Sequence, residues 1–246
     1  MADPFNYWID SIFDRWLGEL THKEIARALK VLTYDYVQRR DRLRGKALSG
    51  RGKQAAFALY YGVRHFVIVR ETLIALKIPE DVPKQIVDLG CGTGVAGAAW
   101  SLHCGGEQTI LGVEFDPNIL REAEFTYKYL KLRGHPIHCH LSKYRWPEPS
   151  ICVIASFILN ELNERDREHL WHNLKKQVKG GSRVLILEPL ATRITPWWRD
   201  WIERVKTIGG RADEWHFDVE LPERVHLLGK SAGLRPNRLG ARVLWI

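Results

Sequence analysis

The chain has 246 residues, 45% of them hydrophobic, with a formal charge of +8 and a pI near 9.4. That size and composition allow a packed α/β domain with an accessory region and exclude a disordered chain. The longest apolar run, residues 57–69, is broken by Arg64 and His65, and the first residues show no basic segment leading into an apolar one. Neither a membrane span nor a signal peptide is therefore expected.

Residues 1–80 read as helical. Phe5, Trp8, Ile9, Ile12, Phe13 and Trp16 recur at helical spacing. Thr21 with Glu24 spells a capping box opening a second helix, where Ile25, Leu29, Leu32 and Tyr36 mark one face. After a break at 45–52, a third helix is expected over 53–76, with Leu59, Val63, Phe66, Val67, Leu73 and Ile74 as its apolar stripe. Between the second and third helices lie Arg39, Arg40, Arg42, Arg44, Lys46, Arg51 and Lys53, opposed locally by Asp41. Such a cluster reads either as a phosphate-contacting patch for RNA or as a solvated helix end.

From residue 85 the rhythm changes. Strands are expected at 85–89, 109–114, 137–141, 151–156 and 183–188, with helices at 94–103, 117–133 and 164–179 between them. That alternation implies a parallel sheet with crossover helices. Residues 197–208 and 223–232 read as helices, and 242–246 as a closing strand.

Val87-Asp88-Leu89-Gly90-Cys91-Gly92-Thr93-Gly94 falls where the first strand ends and a helix begins. Glycines there permit positive φ and close approach of a ligand to the backbone. Glu114 ends the next strand, where an acid that accepts ribose hydroxyls belongs, and Phe115 follows as a face for adenine. These features alone fit either a dinucleotide or S-adenosylmethionine.

The spelling separates the two. Asp88-Leu-Gly-Cys-Gly-Thr-Gly94 resembles the first motif of class I S-adenosylmethionine-dependent methyltransferases, and Leu111-Gly-Val-Glu-Phe-Asp-Pro-Asn118 the second. Ala155-Ser-Phe-Ile-Leu-Asn-Glu-Leu162 is similar to the end of the fourth strand, and Val178-Lys-Gly-Gly-Ser-Arg-Val-Leu-Ile-Leu-Glu-Pro189 to the fifth strand and the turn before it. The resemblance implies a Rossmann-like α/β fold: a mostly parallel central sheet flanked by helices over 81–246, with the helical 1–80 as an extension. It implies S-adenosylmethionine as cofactor. Asp88, Gly90, Cys91, Gly92, Thr93 and Gly94 would hold its methionine end, Glu114 the ribose, and Phe115 and Ser142 the adenine; Ser156 and Phe157 would also belong to the cofactor site. At Ser142 the family commonly has an acid, and this chain does not.

The acceptor is less legible. The (Asp/Asn)-Pro-Pro-(Tyr/Phe) signature of base-amine methylation is replaced by Ser156-Phe-Ile-Leu-Asn-Glu161, and Cys152, the nearest thiol, reads as buried in mid-strand. Asn160 and Glu161 are the candidate acceptor-side groups, or else cap the following helix. Phe157-Ile-Leu-Asn-Glu-Leu162, Leu170-Trp171, Leu187-Glu-Pro189 and Gly92-Thr-Gly-Val-Ala-Gly-Ala-Ala-Trp100 resemble the methyltransferase-like family of small-ribosomal-subunit factors. That resemblance implies RNA, ribosomal RNA above all, as substrate or binding partner. A small-molecule acceptor, and a ribosome-assembly factor that binds the cofactor without turnover, stay open.

Cys91, Cys104, Cys139 and Cys152 form no CxxC pair and read as free thiols of a cytoplasmic protein. His135-Pro-Ile-His-Cys-His140 has the look of metal ligands but no second ligand pair at standard spacing, so no metal is expected. Thr195-Pro-Trp-Trp-Arg-Asp-Trp201 could stack bases; tryptophans at helical spacing more often pack a core. Tyr60, Tyr61 and Arg64 read likewise as helix packing rather than a cover for the cofactor.

Overall fold

A computed structural model describes residues 4–38, 48–234 and 239–246. The chain parts into two compact units, Met1–Val67 with Asp218–Leu239, and Ile68–Phe217 with Gly240–Ile246. The sequence placed a single boundary near residue 80. It could not show that 218–239 joins the N-terminal helices, because that association rests on tertiary contacts such as Arg224 bridging Asp10 and Asp14 at 3.2 and 2.8 Å.

In the first unit, α1 (Pro4–Leu17) buries all six expected apolar residues. Phe5 and Trp8 meet Phe66 with ring centroids 4.5 and 5.8 Å apart. The capping box forms at α2 (His22–Gln38): Glu24 N–H donates to Thr21 Oγ1, and Thr21 N–H to Glu24 Oε2. The expected third helix is α3 (Arg51–Ala56) and α4 (Val63–Ala75), which continues past Val67 into the second unit, with a π-helical stretch, Phe57–Gly62, between them. Its tyrosines are held by neighbours: Tyr61 bonds Thr33 and meets Tyr36 edge-on, and Tyr60 packs where a Cβ on Gly229 would come within 2.8 Å. Leu73 and Ile74 are neighbours that point about 100° apart, so α4 buries Leu73 and leaves Ile74 exposed. Residues 218–239 contribute α9 (Glu223–Ser231).

The second unit is built on a seven-stranded sheet in the order β3-β2-β1-β4-β5-β7-β6. Its strands are β1 (Gln85–Leu89), β2 (Thr109–Glu114), β3 (Arg133–His138), β4 (Cys152–Ser156), β5 (Arg183–Glu188), β6 (Arg211–Phe217) and β7 (Leu239–Trp245). The pairs among β1 to β5 are parallel, and β7 runs antiparallel to β5. The connecting helices are α5 (Val95–His103), α6 (Pro117–Tyr129), α7 (Glu164–Lys179) and α8 (Trp198–Lys206).

Three expected boundaries move. α6 ends at Tyr129 and not near 133, with Lys131 in a left-handed turn (φ 57°). β3 then begins at Arg133 because all of β2 is available to pair with it, Thr109 to Glu114 against Arg133 to His138. β7 begins at Leu239, before the expected 242. β6 was not anticipated: Arg-Ala-Asp-Glu-Trp-His-Phe is a charged edge strand with none of its seven residues buried, so it lacks the apolar alternation by which strands are read.

The core beneath the sheet joins Val87, Val153, Ala155 and Ile186 to Leu170, Trp171 and Leu174 of α7 and Trp198, Trp201 and Val205 of α8. The chain leaves β1 toward β2 on one side and later returns to β4 on the other. Outside the carboxyl ends of β1 and β4 is therefore the crevice where such sheets bind ligands. Among the described residues no helix is long and apolar enough to cross a membrane.

Candidate active site

β1 delivers the glycine loop to that crevice. Gly90, Gly92 and Gly94 all take left-handed φ of 62°, 54° and 75°, a conformation costly for residues with a Cβ. Cys91 N–H donates to Val113 O at 3.0 Å and Gly94 N–H to Cys91 O at 2.8 Å, which ties the loop to β2 and turns it into α5. A Cβ on Gly90 would come 2.5 Å from Ile158 Cγ1, so this loop and the one after β4 pack with no room between them.

Tyr127 of α6 lies buried under the same loop. Cβ atoms on Gly94, Gly112 or Gly134 would each collide with it. Sequence reasoning missed this residue. The available signal was glycine in the middle of β2 and at the start of β3, which marks close approach of another group.

Asp88 is fully buried. Its Oδ2 accepts Gly97 N–H at 2.8 Å, and its Oδ1 has no hydrogen-bond partner among the described residues. Burial, with the nearby Glu114 charge adding to it, pushes the Asp88 carboxyl up to about 7, against the Gly97 hydrogen bond. Thr93 Oγ1 is likewise buried without a partner among the described residues. Orphaned acceptors beside a glycine loop fit a ligand that brings its own donors and positive charge.

Glu114 closes the other side. Its Oε2 accepts Gly92 N–H at 3.1 Å, while Oε1 accepts the N–H groups of Phe115 and Asp116 at 2.7 and 3.0 Å. Burial raises its pKa, and these three bonds oppose the rise. They occupy three of about four lone-pair positions, so a ribose diol at this carboxylate must share or replace the Gly92 contact. Phe115 is 57% exposed and flanked by His138 and His140, with centroids at 6.1 and 5.5 Å. His138 is committed to Phe115 O at 2.8 Å and His140 Nδ1 to Ser142 Oγ at 2.8 Å. Ser142 is thus exposed, with its hydroxyl already engaged by the His140 ring.

The residues after β4 form the facing wall. Ser156 ends the strand with its hydroxyl buried and unpaired among the described residues. Phe157 takes a left-handed conformation (φ 61°), which costs about 1 kcal/mol, and is held by its N–H on Leu187 O at 2.8 Å. Glu188, ending β5 and 0% exposed, gathers the loop: Oε1 accepts the N–H groups of Leu159 and Asn160 at 2.8 and 3.3 Å. Oε2 accepts the Asn160 side-chain amide, which also donates to Phe157 O at 3.1 Å. Asn160 is therefore fixed in orientation with its Oδ1 buried and, among the described residues, unpaired. Glu161 points to solvent from the same turn. Sequence reasoning named Asn160 and Glu161 but missed Glu188, the residue that fixes Asn160.

The aromatic segment after β5 packs: Trp198 and Trp201 are buried, and Trp171 and Trp197 lie 5.4 Å from Trp201. Tyr60 is buried and Tyr61 partly so in the first unit, with Arg64 5.2 Å over the Tyr60 ring. Cys152 opens β4 at the far end from the loop, and burial pushes its thiol up to about 12, which leaves no thiolate nucleophile. Among the described residues no group of three or more His, Cys, Asp or Glu could hold a metal ion. Of the basic cluster, Arg39, Arg40, Arg42, Arg44 and Lys46 lie outside the described residues. Arg51 pairs with Glu19 and stands over Trp16 at 4.3 Å, and Lys53 pairs with Asp35 at 2.8 Å.

Residues 86–181 match a family described as "Methyltransferase domain". Among solved structures, mitomycin 7-O-methyltransferase MmcR is similar with 15% identity and a TM-score of 0.54, over 99% of this chain and 73% of that one. The plantazolicin methyltransferase BpumL, in complex with SAH, is similar with 11% identity and a TM-score of 0.51, over 96% and 98%. A SAM-dependent methyltransferase from Aquifex aeolicus covers 74% of this chain and 93% of its own, at 13% identity and a TM-score of 0.47. No curated protein sequence matches. The structural likenesses are likenesses of fold, and the family match is to the general domain, which does not reach the finer ribosomal resemblance. Matched domain, sheet order and glycine loop agree: the chain is an S-adenosylmethionine-dependent methyltransferase of the class I fold.

Proposed function

We propose that the enzyme methylates RNA, with ribosomal RNA the favoured acceptor, in the cytoplasm. The observation that carries this reading is charge: a surplus of +8, concentrated at Arg39, Arg40, Arg42, Arg44 and Lys46 with Asp41 as local opposition. Arg51 and Lys53 are spent on Glu19 and Asp35, so phosphate contact falls to those five.

Bound S-adenosylmethionine supplies a methyl group on a sulfonium, and displacement from it asks mainly for alignment. The chain's part is to hold both sides. Asp88 and the glycine loop take the methionine end, Glu114 the ribose and Phe115 the adenine face. The loop fixed by Glu188 and Asn160 presents the acceptor side.

The test supplies labelled cofactor with small ribosomal subunits, naked RNA and a low-molecular-mass extract. Label in RNA, with binding that weakens log-linearly with salt, is the expected result. Label confined to the small molecules overturns the RNA reading, as does cofactor binding with no transfer to any acceptor.

A further inference from the structure

Beyond the cofactor cleft, a cavity of about 540 Å³ opens in the second unit, between the segment that follows β5, the start of α8, and strands β6 and β7. Its size suits a nucleotide-sized ligand, since small-molecule sites run from about 300 to 1,000 Å³. Thr195, Arg199, Ile202, Asp213, Glu214 and Arg242 line it.

Its position ties it to the reaction. Arg242 of β7 stands directly across from Glu188 of β5 in the antiparallel register. Paired residues in such a ladder sit about 5 Å apart. Glu188 is the carboxylate that fixes Asn160 and the loop after β4. A ligand in the cavity is thus one strand away from the wall against which the methyl group must be delivered.

Its charge says what it would take. Asp213 is matched by Arg211 at 2.5 Å and Glu214 by Arg242 at 3.3 Å, so both carboxylates are already neutralised. Arg242 also donates to Thr195 Oγ1 at 3.3 Å, and its buried Nε makes no well-directed hydrogen bond. Arg199 is exposed and, among the described residues, has no ionic partner. What is left over is the Arg199 guanidinium, with Ile202 as an apolar wall. That combination suits an anionic group attached to a flat or apolar body.

We propose that this cavity is the acceptor subsite and receives one phosphate-bearing nucleotide of the substrate, with the phosphate on Arg199. The proposal rests on the RNA reading above. The full chain is compared as wild type, Arg199→Ala and Ile202→Trp, the last filling the cavity. Arg199→Ala should raise KM for RNA severalfold and lower the salt slope of binding by about 1, with kcat within about twofold. Ile202→Trp should abolish transfer to RNA while calorimetry shows S-adenosylmethionine binding unchanged. An unchanged KM and salt slope for Arg199→Ala, or wild-type turnover by folded Ile202→Trp, overturns the subsite. Adenosine 5′-monophosphate is titrated in parallel to separate the two readings. If wild type methylates no RNA yet binds the mononucleotide in an Arg199-dependent way, the RNA reading falls and the phosphate subsite stands. If the mononucleotide does not bind either, both fall.

Discussion

The two halves of the sheet use the same device for different ends. At the end of β2, Glu114 collects N–H groups from Gly92, Phe115 and Asp116. At the end of β5, Glu188 collects those of Leu159 and Asn160 and the Asn160 amide. Each carboxylate shapes a loop. Glu114, however, is partly open at the carboxyl end of β2, whereas Glu188 is sealed in and fixes Asn160. The first braces its loop and, on the proposed reading, also binds the ribose. The second braces only.

The largest expected effect breaks the first half alone. Glu114→Ala removes the proposed ribose acceptor and frees three backbone N–H groups. Charge-assisted bonds contribute about 1.5–3 kcal/mol each, so calorimetry should show cofactor affinity reduced by about 100-fold. Affinity within a few-fold of wild type would mean that the acid is a brace like Glu188 and not a binding group.

Next comes Glu188→Ala, which should lower kcat by about tenfold or more while cofactor affinity stays within about threefold. It leaves the buried N–H groups of Leu159 and Asn160 unpaired, so the protein should also lose about 2 kcal/mol of stability. Asn160→Ala separates the causes, because it keeps the Leu159 bond and removes the oriented amide. A loss of cofactor affinity as large as that of Glu114→Ala would erase the contrast between the halves.

That contrast also explains what could be read in advance. The half proposed to hold the cofactor is legible because its turns call for particular residue types at fixed positions. Gly90, Gly92 and Gly94 must reach positive φ, and an acid must stand at the end of β2. The acceptor half obeys no such spelling. Glu188 acts on residues 28 and 29 positions before it, β6 has no apolar alternation, and Arg242 meets Glu188 only through an antiparallel pairing. Tyr127 falls between these cases. Its glycine cradle at 94, 112 and 134 is visible as letters, but only the fold brings those letters around one ring.

A smaller, pH-dependent effect concerns the floor of the cofactor half. The Asp88 carboxyl ionises near 7 in the fold instead of its ordinary 3.8, chiefly because it is buried. The folded state therefore binds more protons than the unfolded chain between about pH 4 and 7. Asp88 thus costs stability progressively as pH rises through that window and no more above it. The difference in melting temperature between Asp88→Asn and wild type should grow in favour of the variant, by a few degrees, from pH 4 to pH 7.5. Cofactor affinity should move the other way in wild type, rising through pH 7 as the carboxylate forms beside a cationic ligand, and should stay flat in the variant. Parallel pH profiles for the two proteins would show that Asp88 does not titrate in this range.

The smallest expected effect is at Ser142. The family pattern puts an acid there to meet the adenine edge, and this chain offers a hydroxyl that His140 Nδ1 already engages at 2.8 Å. The adjoining surface is made by Phe115, exposed and flanked by the two histidine rings. If stacking on that ring carries adenine recognition, Ser142→Ala should change cofactor affinity by less than about twofold, the range of exposed substitutions. Phe115→Ala, losing a stacking face that contributes about 1–3 kcal/mol, should cost at least several-fold. A reversed ranking would place the adenine at the hydroxyl edge and leave the Phe115 ring to pack only against its histidines.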